Sequence, residues 1–162
     1  MRCGDAPTRV LAVYLNDHLA GSTVAVELAR RAAGEYEGTE LGGFLARLAG
    51  EVAEDRDALR RVMDAVGARP DMAKVALAWI GEKAGRLKLN GRLLGRSPLS
   101  PVVELELLEI GITGKLLLWR LLREQRLPGA GAVDLDDLIA RAERQRDEVE
   151  EHRIAAGAEL AA

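Results

Sequence analysis

The sequence predicts an all-α protein: a four-helix bundle with a short fifth helix connecting its two halves. Two observations carry that expectation. The chain has 162 residues, 48% hydrophobic and 30% charged but only 3% aromatic, so its core must be built mainly from Leu, Val, Ile and Ala in a composition rich in helix formers. Apolar residues also recur at helical spacing in five segments, with Gly and Pro between them. The length fits a single domain over residues 1–162, with 1–7 and 158–162 expected to fray.

The first helix is expected from about Thr8 to Ala33, entered through Pro7 and closed by Gly34. Its stripe is Leu11, Leu15, Ala25 and Ala29, with His18 and Ser22 on the same face. The second, from near Thr39 to Gly67, carries Leu41, Leu45, Leu48, Val52, Asp55, Leu59, Val62 and Val66, a seam with one acid in it. The short loop between them makes the pair antiparallel neighbours.

Arg69-Pro70-Asp71 stops the chain and restarts it, with Asp71 as a candidate N-cap. A connecting helix is expected over about Met72 to Leu89, followed by a glycine-rich basic stretch that Pro98 and Pro101 terminate. The fourth long segment, about Pro101 to Gln125, is apolar nearly all round, which suits a central helix or one buried against another subunit. A homodimer through residues 101–125 is therefore expected. The last helix starts at Asp134, with an acid at Asp137, and shows the stripe Leu138, Ala142, Val149 and Ala156.

Several function classes lose support at once. A net charge of −3 argues against a general nucleic-acid or anionic-membrane binder. Cys3 is the only cysteine, so no internal disulfide forms and a reducing compartment fits. The N-terminus lacks a signal-peptide pattern, and the apolar run Ile110 to Leu122 is too short and too polar to span a bilayer. A cytoplasmic protein is expected.

The phrases Tyr14-Leu15-Asn16-Asp17-His18-Leu19-Ala20-Gly21 and Arg86-Leu87-Lys88-Leu89-Asn90-Gly91-Arg92 resemble those of a group of bacterial ferritin-like proteins that brings no established activity with it. That resemblance implies a ferritin-like bundle whose connector crosses its length. It also raises the question of a di-iron site. Such a site takes one Glu from each of two helices and a Glu-x-x-His from each of the other two. The two histidines here are His18 and His152, and three residues before them stand Leu15 and Val149. The motif is absent, so no cofactor is expected. The alternative is a divergent iron or manganese protein, possessing oxidoreductase chemistry, with His18, Asp55, Glu109, Glu148 and His152 as ligands. With a crossover, the His18/Asp55 level should face about Leu121 and Ile139, on the order of 20 Å from His152. An up-down-up-down bundle would bring the two levels together.

Tyr14, His18 and Asp55 form a candidate buried polar layer, either an acid–base pair with a tyrosine beside it or a hydrogen-bonded device that fixes register. Lys83, Arg86, Lys88, Arg92 and Arg96 form a candidate anion-binding run, without interleaved aromatics for base stacking. Glu104, Glu106 and Glu109 are expected to find Arg or Lys partners. The preferred expectation is a bundle without an intact di-iron site that binds a protein or a small ligand and is not an enzyme.

Overall fold

A computed structural model describes residues 5–71, 73, 97 and 99–160, with 5–8 and 159 by backbone alone. It contains four long helices and, among the described residues, no strand. The expected fifth helix and the basic run Lys83 to Arg96 lie outside the described residues. Helix α1 spans Asp5–Glu35 and α2 spans Glu40–Ala65; α3 spans Leu99–Glu124 and α4 spans Leu135–Gly157. Residues 5–7 and 158–160, expected to fray, are helical or in a final 3₁₀ turn (Ala158–Leu160). Pro7 is tolerated because the first turn of a helix has no intrahelical partner for its N–H groups.

Local chemistry closes each hairpin. The Thr39 hydroxyl donates to the Tyr36 carbonyl at 2.6 Å and accepts from the Gly42 N–H at 3.1 Å, which caps α2. A Cβ at Gly42 would lie 2.1 Å from the Tyr36 oxygen, so only glycine lets the turn fold this tightly. Asp134 caps α4 as expected, accepting from the Asp137 N–H at 3.0 Å. In the loop before it, Gly129 has φ +84°, and a Cβ there would meet the Val62 carbonyl at 2.9 Å. The α3–α4 loop thus rests on the end of α2.

Side-chain pairs set the helix directions. Arg31 meets Glu104 at 3.0 Å near the end of α1 and the start of α3, while His18 and Trp119 share a cavity further along, so these helices are antiparallel. Phe44 meets His152, Arg47 meets Glu148 and Asp55 meets Arg141, so α2 and α4 are antiparallel. Arg153–Glu106 and Arg123–Asp136 make α3 and α4 antiparallel. It follows that α2 and α3 run parallel. Asn16 holds the exit from α2: its amide donates to the Arg69 carbonyl at 3.0 Å and its oxygen accepts from the Asp71 N–H at 2.6 Å. The chain leaves α2 at one end of the bundle and enters α3 at the other.

Most of the α2 seam packs as its sequence predicts: Leu45, Leu48, Val52, Asp55, Leu59 and Val62 are all buried, while Leu41 and Val66 at its ends are half-buried. The α1 stripe is rotated from the expected one. Leu15, Leu19, Val26, Ala29 and Ala32 face the core, while Leu11, His18, Ser22 and Ala25 are only half-buried. Among the described residues, no helix is long and apolar enough to cross a membrane.

Candidate functional site

Where α1 turns its His18–Ser22–Ala25 face away from the core, a cavity of about 380 Å³ opens between α1, α2 and α3. Gly21, Ser22 and Ala25 on α1 and Gly111 and Gly114 on α3 line it, and their small side chains leave the space that larger residues would fill. Gly21 and Gly111 are also exposed, so the cavity reaches the surface between α1 and α3. Val52, Leu59, Leu108, Ile112 and Leu118 make its wall largely apolar.

The polar groups in the wall differ in how well they are satisfied. Asp55 is only 3% exposed. Lys115 Nζ donates to Asp55 Oδ2 and to Gln145 Oε1, each at 2.5 Å, and the Gln145 amide donates to Glu51 at 2.7 Å. Arg141 Nη2 lies 2.9 Å from Asp55 Oδ1, close enough for an ion pair but out of hydrogen-bond alignment, so Oδ1 accepts no hydrogen bond. Burial pushes the Lys115 pKa below the ordinary lysine range, and the Asp55 carboxylate pulls it back up. This cluster joins α2, α3 and α4 through one buried carboxylate.

On the α1 side, His18 meets Tyr14 edge-on, with ring centroids 4.6 Å apart. Burial lowers the His18 pKa, with Asp17 opposing, so the imidazole is neutral at neutral pH; burial raises that of Tyr14. Trp119 Nε1 and Arg56 Nε are buried without hydrogen-bond partners, and both residues line the cavity.

Tyr14, His18 and Asp55 therefore line one cavity but do not form the expected layer. Lys115, Arg141 and Gln145 take the carboxylate, and His18 makes no hydrogen bond among the described residues. The facing level is Lys115 and Arg141 with Gln145, rather than the expected Leu121 and Ile139, because the Asp55 cluster sets the register between the hairpins. The other candidate ligands lie elsewhere. His152 stacks on Phe44 at 4.1 Å, Glu148 pairs with Arg47 at 2.7 Å, and Glu106 pairs with Arg153 one turn from Glu109. Phe44 and Asp55 are about 16 Å apart along α2 at about 1.5 Å per residue. The set His18, Asp55, Glu109, Glu148 and His152 does not converge, and no group of three or more His, Cys, Asp or Glu side chains among the described residues is placed to hold a metal. Glu104 finds its expected partner in Arg31 and also accepts from the Tyr36 hydroxyl at 3.1 Å.

Sequence reading missed Lys115, Gln145, Arg56 and Trp119. Gln145 had a signal: the spacing of Leu138, Ala142 and Val149 leaves a seam position that it fills, and it is fully buried. Lys115, inside the most apolar helix, had one too, because a lone lysine there needs a buried acid. Compared with protein-family models, curated proteins and solved structures, the chain matches none.

Proposed function

We propose that this chain is a non-enzymatic bundle of ferritin-like arrangement that binds a small, mainly apolar molecule in the cavity between α1, α2 and α3. The cavity carries the reading. At about 380 Å³ it is of ligand size, and its wall is largely apolar. Close-packed interiors leave few voids of that size, and water is held poorly without several polar partners. Arg56, His18 and Trp119 in the wall give such a ligand a cationic, a polar and an aromatic side chain to meet.

A ligand-binding role fits the wall better than catalysis does. Lys115 and Asp55 hold each other, and no carboxylate is hydrogen-bonded to the His18 imidazole among the described residues. The parallel course of α2 and α3 supports the ferritin-like arrangement, and among the described residues the carboxylates and histidines do not converge as the di-iron chemistry of such bundles requires.

Titration with anilinonaphthalene sulfonate, an apolar ring system carrying an acceptor anion, tests the reading by fluorescence. Saturable binding of one probe per chain is expected, and Ser22→Phe, which fills the cavity, should abolish it. Binding that never saturates, or that Ser22→Phe leaves unchanged, would contradict the cavity as the site.

A further inference from the structure

We propose that the outer face of α3 pairs antiparallel with the same face of a second copy, and that this pairing covers the cavity mouth. Beyond Leu99 at its first position, four large apolar side chains stand exposed along this helix: Leu107 at 47%, Ile110 at 68%, Leu117 at 57% and Leu121 at 40%. With Val103 and Gly114 they form the stripe 103, 107, 110, 114, 117, 121, whose alternating spacing of four and three is that of a coiled-coil seam. Isolated exposed leucines are ordinary, but a continuous seam of them is a contact surface.

The flanks of the stripe select both the partner and its direction. On one side Glu106 and Arg120 stand exposed, each already touching α4 through Arg153 and Glu143. A parallel copy would put the two Glu106 side chains on opposite flanks of the seam, each beside Gly111 of the other chain, and would leave Glu106 and Arg120 without an opposite charge across it. An antiparallel copy sets Glu106 beside Arg120 of the other chain, and two-fold symmetry repeats the pair. The seam agrees with the charges. In the antiparallel register Val103 faces Leu121, Leu107 faces Leu117 and Ile110 faces Gly114. A parallel copy would stack glycine on glycine and leave a void.

Gly114 also lines the cavity, and Gly111 beside it lies at the cavity's exposed edge. Ile110 of the second copy, seated on Gly114, would therefore lie across the mouth. The pairing does not depend on the cavity being occupied, so a monomer would sink it and leave the ligand reading standing.

Sedimentation velocity on the full chain at micromolar concentration should show a dimer. Ile110→Lys with Leu117→Lys, both on exposed positions, should keep the circular dichroism spectrum and raise the dimer Kd by at least roughly 30-fold. Glu106→Arg and Arg120→Glu should each weaken the dimer, and together restore it. In a Cys3→Ser background, Leu107→Cys and Leu117→Cys should cross-link when the two variants are mixed, and neither should cross-link alone. A monomeric wild type, a charge swap that fails to restore, or cross-linking of each cysteine variant with itself would overturn the proposal.

Discussion

His18 and His152 stand at two levels of one bundle, and their surroundings were built by opposite means. At the His152 level the ring lies flat on Phe44, Arg47 approaches the other aromatic within 5.5 Å of its centroid, and Phe44 is buried. At the His18 level the ring touches Tyr14 by its edge and borders open volume, while the polar work falls to Lys115, Asp55 and Gln145 on the other three helices. The first level is filled by large side chains. The second keeps small residues at Gly21, Ser22, Ala25, Gly111 and Gly114 and is held instead by a buried ion pair. A region that forgoes packing near a cavity needs another source of order, and a buried, ion-paired cluster supplies a single geometry.

The largest effect should come from breaking that cluster. Asp55→Ala leaves Lys115 and Arg141 without their buried counter-charge and should lower stability by about 3–5 kcal/mol in urea denaturation. Arg47→Ala, which removes the exposed pair with Glu148 at the other level, should change it by less than about 1 kcal/mol. Equal losses at the two sites would erase the contrast.

Packing gives a second, smaller separation. Ala25 borders the cavity, and Ala29, one turn along the same helix, is fully buried. Ala29→Leu should overpack the core and cost about 1–3 kcal/mol, while Ala25→Leu should be neutral or stabilising because it fills open volume. Thermal unfolding of the two variants compares them directly.

The smallest effect is a slope. The folded chain holds the His18 proton more weakly than the unfolded chain does, because burial lowers its pKa. Unfolding therefore takes up a proton as pH falls through about 6.5, and stability drops there. His18→Gln should flatten that part of the stability–pH curve and leave neutral-pH stability little changed. An unchanged slope would mean that the imidazole is not desolvated.

The helices themselves were largely legible in the sequence. The α2 seam could be read position by position, Asp55 included, because large apolar residues mark it, and Asp134 announced its cap through the spacing to Asp137. The α1 face was harder. Ala, Gly and Ser carry little periodic signal, so the His18–Ser22–Ala25 face looked like core and is cavity wall. Asp55 stood out as a buried acid, but its partners did not. Lys115, Arg141 and Gln145 come from a second hairpin whose register against the first depends on tertiary packing rather than on local spacing. The apolar breadth of α3 was plain. Which part of it faces outward, Leu107, Ile110, Leu117 and Leu121, required knowing where α1 and α4 lie against it.

The central claim is that the cavity between α1, α2 and α3 receives a ligand. A crystal structure of the full chain grown with anilinonaphthalene sulfonate tests it most directly, because the probe could also adhere to the apolar outer face of α3. The account predicts its density inside the cavity, against Trp119 and Arg56 and bordered by His18. Density only on the stripe from Leu107 to Leu121, with ordered water filling the cavity, would contradict it.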